Sequence, residues 1–245
     1  MWVPVRSLVL LIVSFLVSAS PASAQWSVSA FLGKAATSPT RLEIRSGAND
    51  AVALDRVHLD DQSMQLPWYY GWRVTRRLQR VSWLAFEAEF IHAKTIANTA
   101  QLVRVQGRVN GAAVDAQLPM SAVLPRFELS HGLNFLLGNA VMRWPIGSHV
   151  SDPRLALVGR FGAGPTIPHV ESAFQGQSED AYQFGRIGLG AGIGVEVRLT
   201  HHLFALGDVK VTTTRQKVHV ESAEIEGRFT TSHVMGGLMW RFAPM

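Results

Sequence analysis

The sequence predicts an all-β protein, an eight-stranded antiparallel transmembrane β-barrel with short periplasmic turns and long extracellular loops. Three observations predict it. Apolar and polar residues alternate with period two through most of the chain beyond residue 24. Short and long connections alternate between the candidate strands. Charged residues make up 17% of the chain, against roughly 25% in an ordinary soluble domain. That balance is too apolar for a soluble protein and too polar for a helical membrane protein.

The 245 residues divide into 1–24, read as a secretory signal, and 25–245, read as the barrel domain. Arg6 supplies a positive start, Leu8 to Val17 an apolar run, and Ala22-Ser23-Ala24 a small-residue cleavage site. The apolar run is about ten residues, too short to cross a bilayer as a helix. No other stretch holds ~18 consecutive apolar residues, so any membrane crossing must use strands. The destination predicted is the outer membrane of a bacterium. Cysteine is absent, which excludes disulfides, Cys-ligated metals and thiol catalysis.

The eight strands are read at 26–36, 68–79, 82–94, 128–144, 153–166, 182–199, 203–217 and 228–242. The sixth is the clearest. Ile187, Leu189, Ala191, Ile193, Val195 and Val197 share one face, while Arg186, Glu196, Arg198 and a row of glycines share the other. An apolar exterior with a polar interior fits a membrane barrel and is the reverse of a soluble lipocalin-like one. The glycines read as space for large side chains in a narrow lumen. They do not fit a nucleotide-binding loop, and no nucleic acid is expected as a partner. In the last strand Trp240 and Phe242 fit an interfacial aromatic girdle. The short connections are Arg80-Val81, Pro145 to Ser148, and Thr200 to His202. The long ones centre on 37–67, 95–127, 167–181 and 218–227. Within 95–127 the alternation of Val103, Val105 and Val109 suggests a protruding hairpin.

This map gathers reactive residues at the long-loop rim. His92 and Lys94 close the third strand, His131 and Asn134 open the fourth, and His169 and Glu171 follow the fifth. A His and a Glu two apart on an extended segment point the same way; the pattern recurs as His219 and Glu221. Such a cluster suits general acid–base work or a divalent metal, with His169 and Glu171 as candidate ligands. Ser130 and His131 are adjacent, point to opposite faces and form no dyad by themselves. A serine hydrolase would need another partner, such as Ser172 or His92.

The stretches Pro67-Trp68-Tyr69-Tyr70-Gly71-Trp72-Arg73, Phe90-Ile91-His92-Ala93-Lys94, His131-Gly132-Leu133-Asn134-Phe135 and Gly162-Ala163-Gly164-Pro165-Thr166-Ile167-Pro168-His169-Val170-Glu171, with Tyr182-Gln183, carry a family likeness. Here the chain resembles the outer-membrane barrels that include the lipid A oxidases of rhizobia and related bacteria. The resemblance implies oxygen-dependent oxidation of the proximal glucosamine of lipid A, with molecular oxygen as co-substrate. On this reading His92, His131, His169 and Glu171 are the catalytic candidates. Tyr69, Tyr70, Arg73, Lys94, Asn134, Tyr182 and Gln183 bind substrate. Lipid A or lipopolysaccharide is the expected partner. The net charge of +5 is consistent with that, although acidic lipid attracts any basic barrel. Two other readings stand beside it: a structural or adhesion barrel without chemistry, and a lipid A deacylase.

Overall fold

The computed structural model describes residues 25–47, 50–78, 80–109, 111–129, 132–147, 154–220 and 223–242. The signal segment 1–24, Ser130, His131, Glu221 and Ser222 lie outside the described residues. The protein is all-β and antiparallel, with one turn of 3-10 helix at Met120–Ala122. Among the described residues no helix is long and apolar enough to cross a membrane.

Among the described residues sixteen strands form: β1 (Gln25–Thr37), β2 (Thr40–Ser46), β3 (Asp50–Val57), β4 (Leu59–Asp60), β5 (Tyr70–Arg77), β6 (Leu84–His92), β7 (Thr95–Ala97) and β8 (Leu102–Val109). They continue with β9 (Ala112–Pro119), β10 (Arg126–Leu129), β11 (Leu133–Ile146), β12 (Leu155–Phe174), β13 (Gln177–Tyr182), β14 (Ile187–Arg198), β15 (Leu203–Val220) and β16 (Ala223–Arg241). Pairing runs β1-β5-β6-β11-β12-β14-β15-β16 and returns from β16 to β1. A circuit of this kind leaves no unpaired edge along the wall, which is what a strand in hydrocarbon requires.

The wall sorts side chains by parity. Leu189, Ile193, Val195, Val209, Val211, Val234 and Leu238 are exposed on the outside. Inside, Arg73, Arg160 and Lys210 meet Glu87, Glu89 and Asp208, three cations against three carboxylates, all buried. Arg143 reaches Glu196 at 2.7 Å closer to the short turns. From Ile187 to Val197 the outward apolar row of β14 covers about 33 Å along the strand. At a tilt near 40° this spans about 25 Å, the height of a hydrocarbon band. Trp83, Trp144, Trp240 and Phe242 are exposed at one margin, and Trp68, Tyr70 and Phe184 at the other.

The glycine row of β14 does what the sequence suggested. A Cβ on Gly188 would fall 2.8 Å from the Phe135 ring, and one on Gly190 would fall 2.9 Å from both Leu137 and Lys210. Side chains fill the lumen, and a cavity of about 30 Å³ remains among Thr75, Arg143, Arg160 and Glu196. That is the space of about one water molecule.

The long connections need correction. Residues 37–67 and 95–127 are largely strand, because β16 pairs with β2 and the sheet continues through β3, β8 and β9. The β8–β9 pair is the hairpin suggested by the valine alternation. The stretch 218–227 is not a long loop, since β15 runs to Val220 and β16 begins at Ala223. Nor is 167–181, where β12 continues and pairs with β13 around Gln175-Gly176. Both turn residues have positive φ, 49° and 81°, as a two-residue type I′ hairpin turn requires. Beyond the membrane band these strands reverse polarity. Leu42, Ile44, Leu54, Val105, Leu124, Phe127, Val218, Val220 and Ile225 turn inward and build one apolar core above the lumen.

Candidate functional site

The candidate residues separate first by parity. Tyr69 and Tyr70 are neighbours, so they face opposite ways. Tyr69 is 2% exposed inside the lumen and its hydroxyl lies 3.1 Å from His233 Nδ1. Arg73 is also internal, donating from Nε to Glu89 at 2.9 Å and from Nη1 to Asp208 at 2.8 Å. The expectation that these two reach the rim and contact substrate does not survive their burial. Both are held in the interior by their polar partners.

On the outward face, β5, β6, β11 and β12 carry the rest upward. Trp72 stacks on Phe90, with ring centroids 5.8 Å apart, and Tyr70 stacks on His92 at 4.9 Å. His92 Nδ1 lies 2.8 Å from Asn134 Oδ1. The Asn134 amide nitrogen donates to the Ile167 carbonyl at 3.0 Å, so Oδ1 is the acceptor and His92 carries its proton on Nδ1. In the neutral ring Nε2 is then the basic nitrogen.

His169 follows on the same outward row, two residues past Ile167. Its backbone N–H donates to the Gly132 carbonyl at 3.1 Å. Gly132 therefore sits between the two halves of the cluster. Its φ is +106°, and a Cβ there would fall 2.5 Å from both His92 Nδ1 and Asn134 Oδ1. Glycine is needed here on both counts. The His169 ring meets Tyr182 edge-on at 4.4 Å. Its Nε2 lies 3.4 Å from Asp180 Oδ1 and its Nδ1 3.8 Å from Glu171 Oε1. The other Glu171 oxygen is paired with Arg126, which also holds Glu128 at 3.1 Å. That hydrogen bond to Glu128 raises the Arg126 pKa above its ordinary value.

Lys94 and Gln183 are engaged elsewhere. Lys94 Nζ donates to the Gln65 carbonyl at 2.9 Å, and burial lowers its pKa. Gln183 donates to the His219 carbonyl at 2.9 Å and accepts from the His219 amide at 3.1 Å, tying the start of β14 to β15. Ser172 is buried with the inward row, away from His169. His131, the histidine for which Ser172 was a candidate partner, lies outside the described residues.

Asp180 and Arg126 are the additions that the sequence did not single out. The register Glu171↔Asp180 across the Gln175-Gly176 turn was the available signal. Donor atoms of His169, Glu171 and Asp180 all lie within 4.8 Å of one another. One imidazole nitrogen and two carboxylate oxygens form a mixed set suited to a divalent first-row metal.

No family model and no curated protein matches the chain. Among solved structures it is similar to Neisserial surface protein A, at 11% identity over 89% of this chain and 97% of that one, TM-score 0.41. It is similar also to the outer membrane protein OprG from Pseudomonas aeruginosa, at 11% identity over 90% and 96%, TM-score 0.42. The outer membrane protease OmpT from Escherichia coli matches at 8% identity over 92% and 99%, TM-score 0.45. The chain's own apolar outer wall and charged interior place it in the bacterial outer membrane.

Proposed function

We propose that the chain is an eight-stranded outer-membrane barrel that modifies lipid A in the outer leaflet, with oxygen-dependent oxidation of the proximal glucosamine as the reaction. One observation carries this reading. The polar cluster of His92, Asn134, His169, Glu171 and Asp180 stands on the outward row, directly above the lipid-facing residues, with His92, Asn134 and Glu171 buried beneath the surface and Asp180 exposed at the level of a lipid headgroup. The filled lumen argues against a pore. An outward site is the productive geometry for a substrate that never leaves the leaflet.

The residues divide the work by their partners. Asn134 holds the His92 ring with Nε2 as its basic nitrogen; that atom is buried at rest, so substrate must uncover it before it can exchange a proton with a sugar hydroxyl. Tyr70 and Tyr182, set beside the two histidines, offer ring faces to a pyranose. Glu171 and Asp180 flank His169, with Arg126 restraining Glu171. The donor set of His169, Glu171 and Asp180 fits a divalent metal, which would bind and polarise substrate oxygens when present.

Mass spectrometry of host lipid A tests the proposal. Expression of the chain in air should shift the lipid A mass, and growth without oxygen should not. H169A/E171A, inserted at normal levels, should abolish the shift. An unchanged lipid A spectrum with the intact chain in air would overturn it. A shift by loss of an acyl chain would favour the deacylase. The exposed edge strand β9, paired on one side to β8, favours the adhesion reading as the alternative.

A further inference from the structure

A second outward cluster stands away from the candidate site, across β2, β15 and β16. On β15 the outward row climbs from Val209 and Val211 through Thr213 to Arg215. On β16 it climbs from Val234 through Ser232 and Thr230 to Arg228. Arg215 and Arg228 are direct cross-strand partners. Arg41 lies next to the last paired residue of β2, Leu42, which pairs with Gly227. These three arginines, with Arg45, Glu43 and Glu226, line a groove of about 290 Å³.

The fold gains little from this arrangement. Like charges directly opposite one another destabilise a sheet. Five guanidiniums gather here: Arg41, Arg45, Arg186, Arg215 and Arg228. Their carboxylates are three: Glu43 and Asp55 on the β2 side, and Glu226, shared by Arg186 and Arg215. Arg228 makes no ion pair among the described residues, although its carbonyl accepts from Thr40 Oγ1 at 2.6 Å. Five guanidiniums against three carboxylates leave a net excess of two positive charges on this outward face.

Height decides which anion fits. Arg215 is four residues beyond Val211, about 13 Å along the strand and about 10 Å vertically at a 40° tilt. Thr213, Thr230 and Ser232 fill the step between. The arginine row thus stands level with Ile187, the upper end of the apolar band on β14, because Gly188 pairs with Thr214, and from that edge its guanidiniums extend toward lipid phosphates. Guanidinium is the side chain best matched to phosphate oxygens.

We propose that Arg41, Arg215 and Arg228 form a docking site for the phosphorylated headgroup of an outer-leaflet lipid. The site needs the membrane placement of the wall but not the chemistry proposed for His169 and Glu171.

The purified mature chain in mild detergent would be mixed with bisphosphorylated lipid A or its dephosphorylated form, and bound lipid counted by native mass spectrometry. The phosphorylated lipid should be retained at least about tenfold better, the effect of losing one charge-assisted contact. R215Q/R228Q should lose that preference, with heat-modifiable gel mobility confirming the fold. R228Q alone, which breaks no ion pair, should lose part of it and serves if the double variant fails to insert. H169A/E171A should retain it, separating this site from the proposed reaction. Equal retention by R215Q/R228Q, or no preference for phosphate in the parent chain, would overturn the proposal. So would binding of a soluble polysulfated saccharide at these arginines without lipid retention.

Discussion

Replacing Arg73 by Met removes the hub of the lumen. Its guanidinium lies 2.9 Å from Glu89, 2.8 Å from Asp208 and 3.7 Å from Glu87. It also sits 4.4 Å from the centre of the Phe31 ring. With Arg160 and Lys210 it balances three buried carboxylates. R73M leaves one of those buried charges without a counterion inside the lumen. Breaking a buried pair from one side costs about 3–5 kcal/mol. Removing both sides is milder, because the Met side chains are apolar and neutrality returns. R73M/E89M should therefore be less destabilised than the two single losses added, by about 0.5–3 kcal/mol of coupling. Guanidinium unfolding of the barrel in lipid vesicles, followed by tryptophan fluorescence, gives both numbers. A loss under about 1 kcal/mol for R73M would place the pair in the range of exposed ion pairs and refute the argument. Strict additivity in the double variant would refute it equally.

Further outcomes follow from the wall and the rim. I193R places a charge on the lipid face near the middle of β14 and should cost about 2–4 kcal/mol of barrel stability in the same unfolding assay. V197R, near the margin, should cost about 0–1 kcal/mol. G132A should separate His92 from Asn134 by forcing a Cβ between them, lowering lipid A modification about tenfold or more while leaving insertion intact; unchanged modification would remove Gly132 from the site. N134D offers His92 a carboxylate in place of an amide and should raise the pKa of His92, shifting the acid limb of the modification rate to higher pH. A pH–rate profile with an unmoved limb would show that His92 does not titrate in the reaction.

The membrane-spanning strands were legible because they alternate with a lipid-facing side, as at Leu189 and Ile193. The strands above the membrane were missed for a physical reason. At Leu42, Ile44, Val218 and Val220 the apolar residues face inward and the charged ones outward, as in a soluble sheet. A reading tuned to a lipid-facing wall took that inverted alternation for loop. Tyr69 and Arg73 were misplaced because adjacent aromatics and a lone arginine do not reveal which parity faces the lumen. The grouping of His92, Asn134, His169 and Glu171 could be anticipated because each was read near a strand end at the same rim. Asp180 was not, because it reaches the cluster through a hairpin turn that the chain pattern leaves ambiguous. Arg126 reaches Glu171 through the pairing of β10 with β12, a contact 45 residues apart in sequence.

The reversal of polarity at Thr213, Thr230 and Ser232 acts as a depth gauge. If the barrel sank by one residue pair, Arg215 and Arg228 would approach the hydrocarbon. If it rose by as much, Val211 and Val234 would meet water. Either displacement is opposed, so the protein floats at one level. The histidines on the far side of the wall inherit that level without contacting the arginines. The depth of His169 relative to the bilayer is thus set by the buoyancy of the whole wall, and a bilayer of different thickness would retune it without a single mutation.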